Sequence, residues 1–537
     1  MSEPFDVIVV GGGHNGLVAA GLLARRGARV TVLERRATVG GAATTEQPWG
    51  SAFKISALSY VVSLMPAEIL RELDLRRYGY KIYPQHGYFV PYRDGRALQL
   101  PANDPARRRT QIEQFSHTDA AAYDRWDVWL GQLAEILGPL LATIPPSLGS
   151  TRPRDLVDQA RLIWTLRRLG ISGVGDVTRL FTVSIADLLD EWFTSPQMQG
   201  VLAVSGVIGT WAGPRSPGTA YVMAHHKLGD AGEGQLGSWG FPAGGMGAVS
   251  DALRAAATAA GATVRTDAPV ARIDVRAGRV RGVTLQSGDQ LRADIVVAAT
   301  HPKITFLDQI DRAVLPADFV AAIERWKTRS GTVKVNVAVD RLPEFAAKPG
   351  FDPEVHGGTI VLAESLDQVE RAFQDAVAGR AAALPFADIC IPSVFDPTLA
   401  PSGQHVVSMF TQWVPHPWAA SPCSEELDAY ADRVIARVDA VAPGFTSSIL
   451  HRQVIGPFEM EHDYGLVGGN IFHGELSPDQ LFHMRPAPGY ADFRTPIDGL
   501  YQASSATHGG GGVTGIPGLN ATRQIVRDRA RKHRRRA

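Results

Sequence analysis

Cysteine is nearly absent from this chain: 537 residues carry two, Cys390 and Cys423. They form no Cys-x-x-Cys pair, which excludes a redox-active vicinal disulfide and a cysteine-rich zinc site. Such sparse use also fits a reducing compartment. No HExxH or Cys/His zinc spacing occurs, and no metal is expected. Net charge is absent too. Lys+Arg and Asp+Glu each total 54, so global charge gives no case for a nucleic-acid partner. No uncharged apolar run of about 18 residues occurs, and no membrane-spanning helix is expected. No basic n-region with an apolar h-region opens the chain. The expected location is cytoplasmic. The basic end, Arg534-Arg535-Arg536, leaves peripheral contact with anionic lipid open beside the plainer reading of a solvated helix end.

Glycine is plentiful, with 55 residues, and two glycine-rich segments stand near opposite ends of the chain. At ~100–200 residues per domain, the length allows two or three domains. Residues 5–10 read as a buried parallel strand. Gly11-Gly12-Gly13-His14-Asn15-Gly16 follows, then a helix over 15–26 and a strand from Arg29 to Leu33 that ends at Glu34. This is a βαβ unit with the dinucleotide fingerprint in register. Gly11 permits the tight turn, Gly13 lets the backbone approach a pyrophosphate, and Gly16 allows close helix–strand packing. His14 and Asn15 open the helix, whose N-terminus faces the phosphates. The Glu34 carboxylate can accept from both ribose hydroxyls and would repel a 2′-phosphate, which argues against NADP. Arg35-Arg36 and Gly40, Gly41 and Ala42 extend the motif along the pyrophosphate. That extension selects FAD over NAD, with Arg36 a candidate for phosphate or ribitol.

Near the other end, Thr495-Pro496-Ile497-Asp498 leads into a strand over 499–503. The pattern is similar to the second FAD motif of flavoproteins. Ser504-Ser505 replaces its usual Gly-Asp ending, so a carboxylate to ribitol is missing, and Ser504 is kept as a candidate cofactor contact. Then come Gly509 to Gly512, Val513, Thr514 and a helix entry at Pro517-Gly518. Gly511, Gly512, Val513 and Thr514 can set backbone N–H groups against a flat ring, and the positive helix end can stabilise an anionic locus there.

Between these ends, residues 80–100 read as a hairpin and 105–205 as mostly helical. Residues 228–247 read as a long loop, and 263–275, 279–286 and 294–299 as strands. A helix is expected over 314–327 and a strand over 331–340, with Val333, Val335, Val337 and Val339 on one face. Further strands near 359–364, 387–393 and 405–412 suggest a second, antiparallel-rich sheet, followed by a helix over 424–441. Taken with Gly240-Phe241-Pro242-Ala243-Gly244-Gly245, Gly468 to Gly474, Asp479 to Phe482 and Arg485-Pro486, the two glycine segments make a specific combination. By it, nearly the whole chain resembles the phytoene desaturase-like branch of FAD-dependent oxidoreductases. The resemblance implies an α/β fold with a Rossmann-like FAD-binding domain assembled from 1–75, 235–305 and 495–537. An α+β substrate domain with a mixed or antiparallel sheet fills 76–234 and 306–494. It also implies that the Val270 backbone meets the adenine.

The implied chemistry is hydride transfer between a small lipophilic substrate, isoprenoid- or polyene-like, and noncovalent FAD. The protein supplies orientation and exclusion of water. Trp211, Trp239, Phe241, Tyr464, Phe472 and Phe482 are candidates for lining the substrate cleft, though aromatics of this kind are more often plain core. His508, beside the second glycine loop, is the candidate catalytic group, and His473 the other imidazole of interest. One dinucleotide fingerprint implies reoxidation by an external acceptor, O2 or a quinone. Two alternatives stay open: a noncovalent flavin amine oxidase, and a flavin-binding interaction or regulatory protein with little turnover. No cysteine follows Cys423, which excludes covalent flavin attachment through a cysteine just before the second motif.

Overall fold

Val7, Ile8, Val9 and Val10 of strand Phe5–Val10 are apolar without alternation because neighbours cover both faces there. The computed structural model describes residues 5–148, 151, 153–229 and 237–536. In it, this strand lies between Gln290–Ala298 and Val30–Leu33, parallel to both. Thr263–Arg265 extends the sheet beyond Val30–Leu33, and Leu500–Gln502 beyond Gln290–Ala298, again in parallel. The hairpin Val270–Arg276/Arg279–Leu285 pairs with the first half of Gln290–Ala298. Register brings the carboxyl ends together: Val10 opposes Leu33 and Ala298, and Ala298 opposes Gln502. Gly11, Glu34, Ala299 and Ala503 therefore emerge side by side, at the edge where open α/β sheets bind ligands.

Helix His14–Ala24 is buried almost throughout. Small residues let its neighbours approach at backbone distance. A Cβ on Gly518, in the last helix Ile516–Arg536, would stand 2.2 Å from the Asn15 carbonyl oxygen. The two glycine segments of the sequence are thus in direct contact. Arg534, Arg535 and Arg536 lie on that helix, and their side chains fall outside the described residues, as do residues 230–236 of the 228–247 stretch.

The second sheet runs Ile449–Ile455, Thr332–Val339, His405–Gln412, Phe386–Cys390, Thr359–Leu362, Gly87–Pro91, Ala97–Pro101. Its pairs are antiparallel except Thr359–Leu362 with Gly87–Pro91. Val333, Val335, Val337 and Val339 enter the large core that also holds Tyr430, Val434 and Val438 of helix Ser424–Asp439. Strand Ile449–Ile455 has no counterpart among the sequence-based expectations, because His451, Arg452 and Gln453 break its apolar pattern. Helix Ala317–Arg325 packs elsewhere: Phe306, Phe319 and Ile323 share a core with Ile8 and Val296 of the first sheet. Among the described residues, no helix is long and apolar enough to cross a membrane.

Candidate cofactor cleft and adjoining cavity

The first glycine loop is shaped by what its backbone must touch. Gly11 has φ +100°, which side-chain-bearing residues rarely adopt. A Cβ on Gly16 would lie 2.2 Å from the Gly11 carbonyl oxygen, so only glycine lets the helix start directly behind the turn. Gly13 differs: a Cβ there would meet nothing within 4 Å. Glu34 is buried, accepting from the Gly12 N–H at 2.7 Å and the Arg36 N–H at 2.9 Å.

A cleft of about 370 Å³ opens over this loop. Its wall includes Gly11, Gly13, His14, Asn15, Gly16, Glu34, Arg35, Arg36, Gly40, Gly41, Ala42 and Val270, with Thr300, His301, His473 and Ser505. Arg36 is already engaged. It pairs with Glu46 at 3.0 Å and lies 4.6 Å from the centroid of the Tyr464 ring, whose hydroxyl also donates to Glu46 at 2.9 Å. Tyr464 lines this cleft and not the apolar cavity described next. Arg35 donates to the His462 carbonyl at 2.9 Å.

The second glycine loop is held from behind by Arg485. This buried guanidinium donates to the Phe472 carbonyl at 2.6 Å, the Ser505 carbonyl at 3.1 Å and the Thr507 carbonyl at 3.2 Å. Burial pushes it down to about 10. The Thr514 hydroxyl donates to the Gly509 carbonyl at 3.1 Å and steadies the helix entry. Gly511 packs on Phe472, where a Cβ would fall 2.8 Å from its Cα. Ser504 turns inward, its hydroxyl accepting from the Ala506 N–H, while the Ser505 hydroxyl accepts from Asn15 Nδ2 at 3.0 Å. Ser505, and not Ser504, reaches the cleft.

Beyond the cleft lies an apolar cavity of about 160 Å³, walled by Leu58, Val61, Val201, Val204, Ile208, Phe410, Met460, Ile471, Phe472, Gly512 and Val513 among others. His14, Ala42, Leu466, His473 and Ser505 line both spaces, so the two meet there. Two non-glycine residues on this wall have left-handed backbones, His473 at φ +56° and Val513 at φ +57°. For a branched side chain such as valine this is strained, a condition associated with functional sites. Three buried atoms around the junction lack a hydrogen-bond partner among the described residues: His14 Nε2, Asn15 Oδ1 and His473 Nδ1. Burial lowers His14 to about 4 and His473 to about 3, so both imidazoles are neutral at pH 7.

Of the aromatic candidates, Trp239 and Phe472 line the cavity. Trp211 is turned into the core, edge-on to His416 and Phe373. Phe241 stacks on Phe395 at 5.5 Å, and Phe482 meets His508 edge-on at 5.3 Å. His508 corrects the expected catalytic placement: it lines neither space. Its Nε2 donates to the Leu140 carbonyl at 3.0 Å, at the end of helix His117–Leu141, and burial lowers it to about 4. The polar groups that do reach the cavity include Tyr60, Lys334 and Asp388, none of them marked by a sequence motif.

Comparison with known proteins agrees with this architecture. Residues 9–67 match the NAD(P)-binding Rossmann-like domain, and residues 201–518 match the flavin containing amine oxidoreductase family. The chain belongs to that family of FAD-dependent oxidoreductases. It is 40% identical to pyridine nucleotide-disulfide oxidoreductase domain-containing protein 2 of Rattus norvegicus, over 98% of this chain and 94% of that one. It is 24% identical to phytoene desaturase of Phycomyces blakesleeanus, over 99% of this chain and 86% of that one. Among solved structures, putrescine oxidase bound to putrescine shares the fold, with a TM-score of 0.59 at 15% identity over 98% of this chain and 99% of that one. The disulfide in the rat protein's name has no counterpart here, since Cys390 and Cys423 are both free.

Proposed function

We propose that this chain is a desaturase-type dehydrogenase that makes or removes a carbon–carbon double bond in a small lipophilic substrate, isoprenoid- or polyene-like, using noncovalent FAD. The observation that carries this reading is the junction of a glycine-walled cleft with an apolar cavity across His14, Ala42, Leu466, His473 and Ser505. The open space over Gly13 and the unpartnered buried atoms of His14, Asn15 and His473 suit a cofactor with phosphates at one end and a polar ring at the other. In this reading Gly11, Gly13 and Gly16 and the start of the following helix hold the pyrophosphate. Glu34 meets the ribose and the Val270 backbone the adenine. Arg35, Arg36, Gly40 and Gly41 flank the phosphates, Ser505, Gly512 and Val513 border the ring, and Ser504, Gly511 and Thr514 support them.

The flavin, when bound, would supply a two-electron acceptor for hydride from one substrate carbon, and the proton lost from the neighbouring carbon as the double bond forms would leave to the medium. The chain's own part is to orient an apolar substrate and keep water away from it. His14 and His473 are too weakly basic to draw a proton from carbon at neutral pH, and serve as hydrogen-bond partners. In the direction that makes the double bond, an external acceptor, O2 or a quinone, removes the electrons. An amine oxidase is the second reading: Asp388 in the cavity wall would attract a cationic amine, while Lys334 in the same wall would oppose it.

The test is anaerobic mixing of the purified holoprotein with polyenes and with amines. Bleaching of the flavin band by polyenes alone is the expected result. Bleaching by amines alone would overturn the assignment. Silence from every donor, with a partner co-purifying, would favour a flavin-binding protein with little turnover.

A further inference from the structure

Lys334 sits on a strand whose residues are all buried, and is itself 1% exposed. Across the sheet it pairs with Phe410, and Phe410 pairs with Asp388. The three form one row, and all three line the apolar cavity. Phe410 stands between Lys334 and Asp388 in that row, and the amine and the carboxylate form no direct ion pair. The Lys334 amine donates to the Ser408 hydroxyl and stands 3.8 Å from the centroid of the Tyr60 ring. The Tyr60 hydroxyl donates to Asp388 Oδ1 at 2.9 Å. Burying a lysine and an aspartate without pairing them directly is costly. An ammonium has three donors, and Ser408 and the Tyr60 ring engage two. Burial lowers the amine to about 7 and raises the Asp388 carboxyl to about 6, as expected for charged forms short of partners.

We propose that Lys334 and Asp388 are a docking pair for a neutral oxygen on the substrate. The cavity then takes an oxygenated lipophile, an apolar body carrying a hydroxyl or carbonyl group, in preference to a plain hydrocarbon. This rests on the reading that the cavity holds a lipophilic substrate. Lys334 donates to the substrate oxygen, and Asp388 accepts from it when it is a hydroxyl. A carboxylate end fits less well, because Asp388 shares the wall. A few polar groups in an apolar pocket fix orientation. A molecule lacking the oxygen leaves them unpaired, which makes such a site selective.

Farnesol and farnesene, an isoprenoid alcohol and its hydrocarbon, give a matched comparison. Their binding to the oxidised holoprotein is followed through the flavin absorption band. Farnesol is expected to bind at least about tenfold more tightly, the effect of one buried polar group satisfied or not. In Lys334→Met this preference should shrink to about twofold or less, through weaker farnesol binding. Asp388→Asn, nearly isosteric, should also reduce it, and carries the test if the lysine variant does not fold. Equal binding of the two by the wild-type protein overturns this proposal alone. A preference unchanged in both variants also overturns it. Binding of neither compound removes the lipophilic-substrate reading and this proposal with it.

Discussion

Gly13 and Gly16 are three residues apart in one motif, yet alanine should act at them through different states of the protein. At Gly16 the new methyl would stand 2.2 Å from the Gly11 carbonyl oxygen and 3.1 Å from the Ala299 Cβ. The first neighbour is backbone, so the turn or the helix must move. Overpacking of this kind costs about 1–3 kcal/mol, and the cost falls on the protein without cofactor. At Gly13 the backbone has φ −68° and ψ 167°, open to any residue, and the methyl meets nothing within 4 Å. Gly13→Ala should therefore leave the apoprotein as stable as the wild type. If the pyrophosphate lies against Gly13, the same methyl occupies its space only when FAD binds. A penalty of about 1–3 kcal/mol then weakens FAD about 5- to 150-fold. Two measurements on each variant separate these effects: urea unfolding of the apoprotein, and FAD titration followed by flavin fluorescence. A Gly13→Ala protein that binds FAD as well as the wild type refutes the placement of the phosphates. Equal destabilisation of the two apoproteins refutes the reading of the loop.

Glu34→Ala should destabilise the loop and weaken FAD together, since each hydrogen bond to a charged group contributes about 1.5–3 kcal/mol and the Gly12 and Arg36 N–H groups both lose their acceptor; Glu34→Gln, which keeps an acceptor oxygen, should lose less in both titrations. Arg485→Met leaves the Phe472, Ser505 and Thr507 carbonyls without that donor, at about 1–3 kcal/mol for each that stays unsatisfied, so the variant should shed its flavin on gel filtration, and a stably yellow protein would contradict the stapling role. Lys334 predicts a pH effect of definite sign. Burial lowers its amine from 10.5 to about 7, against weaker raising influences from Cys390 and Asp388, and Tyr60 covers it. The unfolded chain binds that proton more readily, so the contribution is complete above pH 10.5 and is lost as pH falls through 7. Lys334→Met lacks this loss and should gain on the wild type as pH falls from 10 to 7, by up to about 4 kcal/mol at ~1.4 kcal/mol per pH unit. Parallel stability curves would refute it. Asp388, raised from 3.8 to about 6, acts outside that window, its contribution lost as pH rises through 6.

The parts of the site legible in the sequence are those whose geometry is local. A strand, a tight turn and a helix restrict residue types within a few positions, so Gly11 to Gly16 could be read directly. Glu34 and Gly40-Gly41 follow at fixed distances along the chain, and the residues chosen there do wall one cleft. Long-range geometry was not legible. His508 adjoins the second glycine loop in sequence, but its direction is set by a carbonyl at Leu140. Trp211 and Phe241 are as aromatic as Trp239 and Phe472. Which of them faces a cavity depends on Phe373, His416 and Phe395, on other elements of the fold.

Thr332–Val339 shows the same limit within one strand. Alternation put four valines on one face and left Lys334 and Asn336 on the other, where a period-two pattern ordinarily means solvent. The inference about the valines needs only that one face be core, and they do pack there. The inference about the other face needs to know what covers it, and that comes from segments far away in the chain. Asn336 donates to the Ala57 carbonyl at 3.1 Å, and Tyr60 lies over Lys334. The segment around residues 57–60 also carries Ser59, whose N–H donates to the Ala42 carbonyl, and Ala42 borders both spaces. The stretch that follows the nucleotide motif is therefore the one that buries the lysine. A polar residue on the supposed outer face of a strand is ordinary at a surface. Once covered it becomes a group in need of a partner, and the space it faces is where that partner must come from.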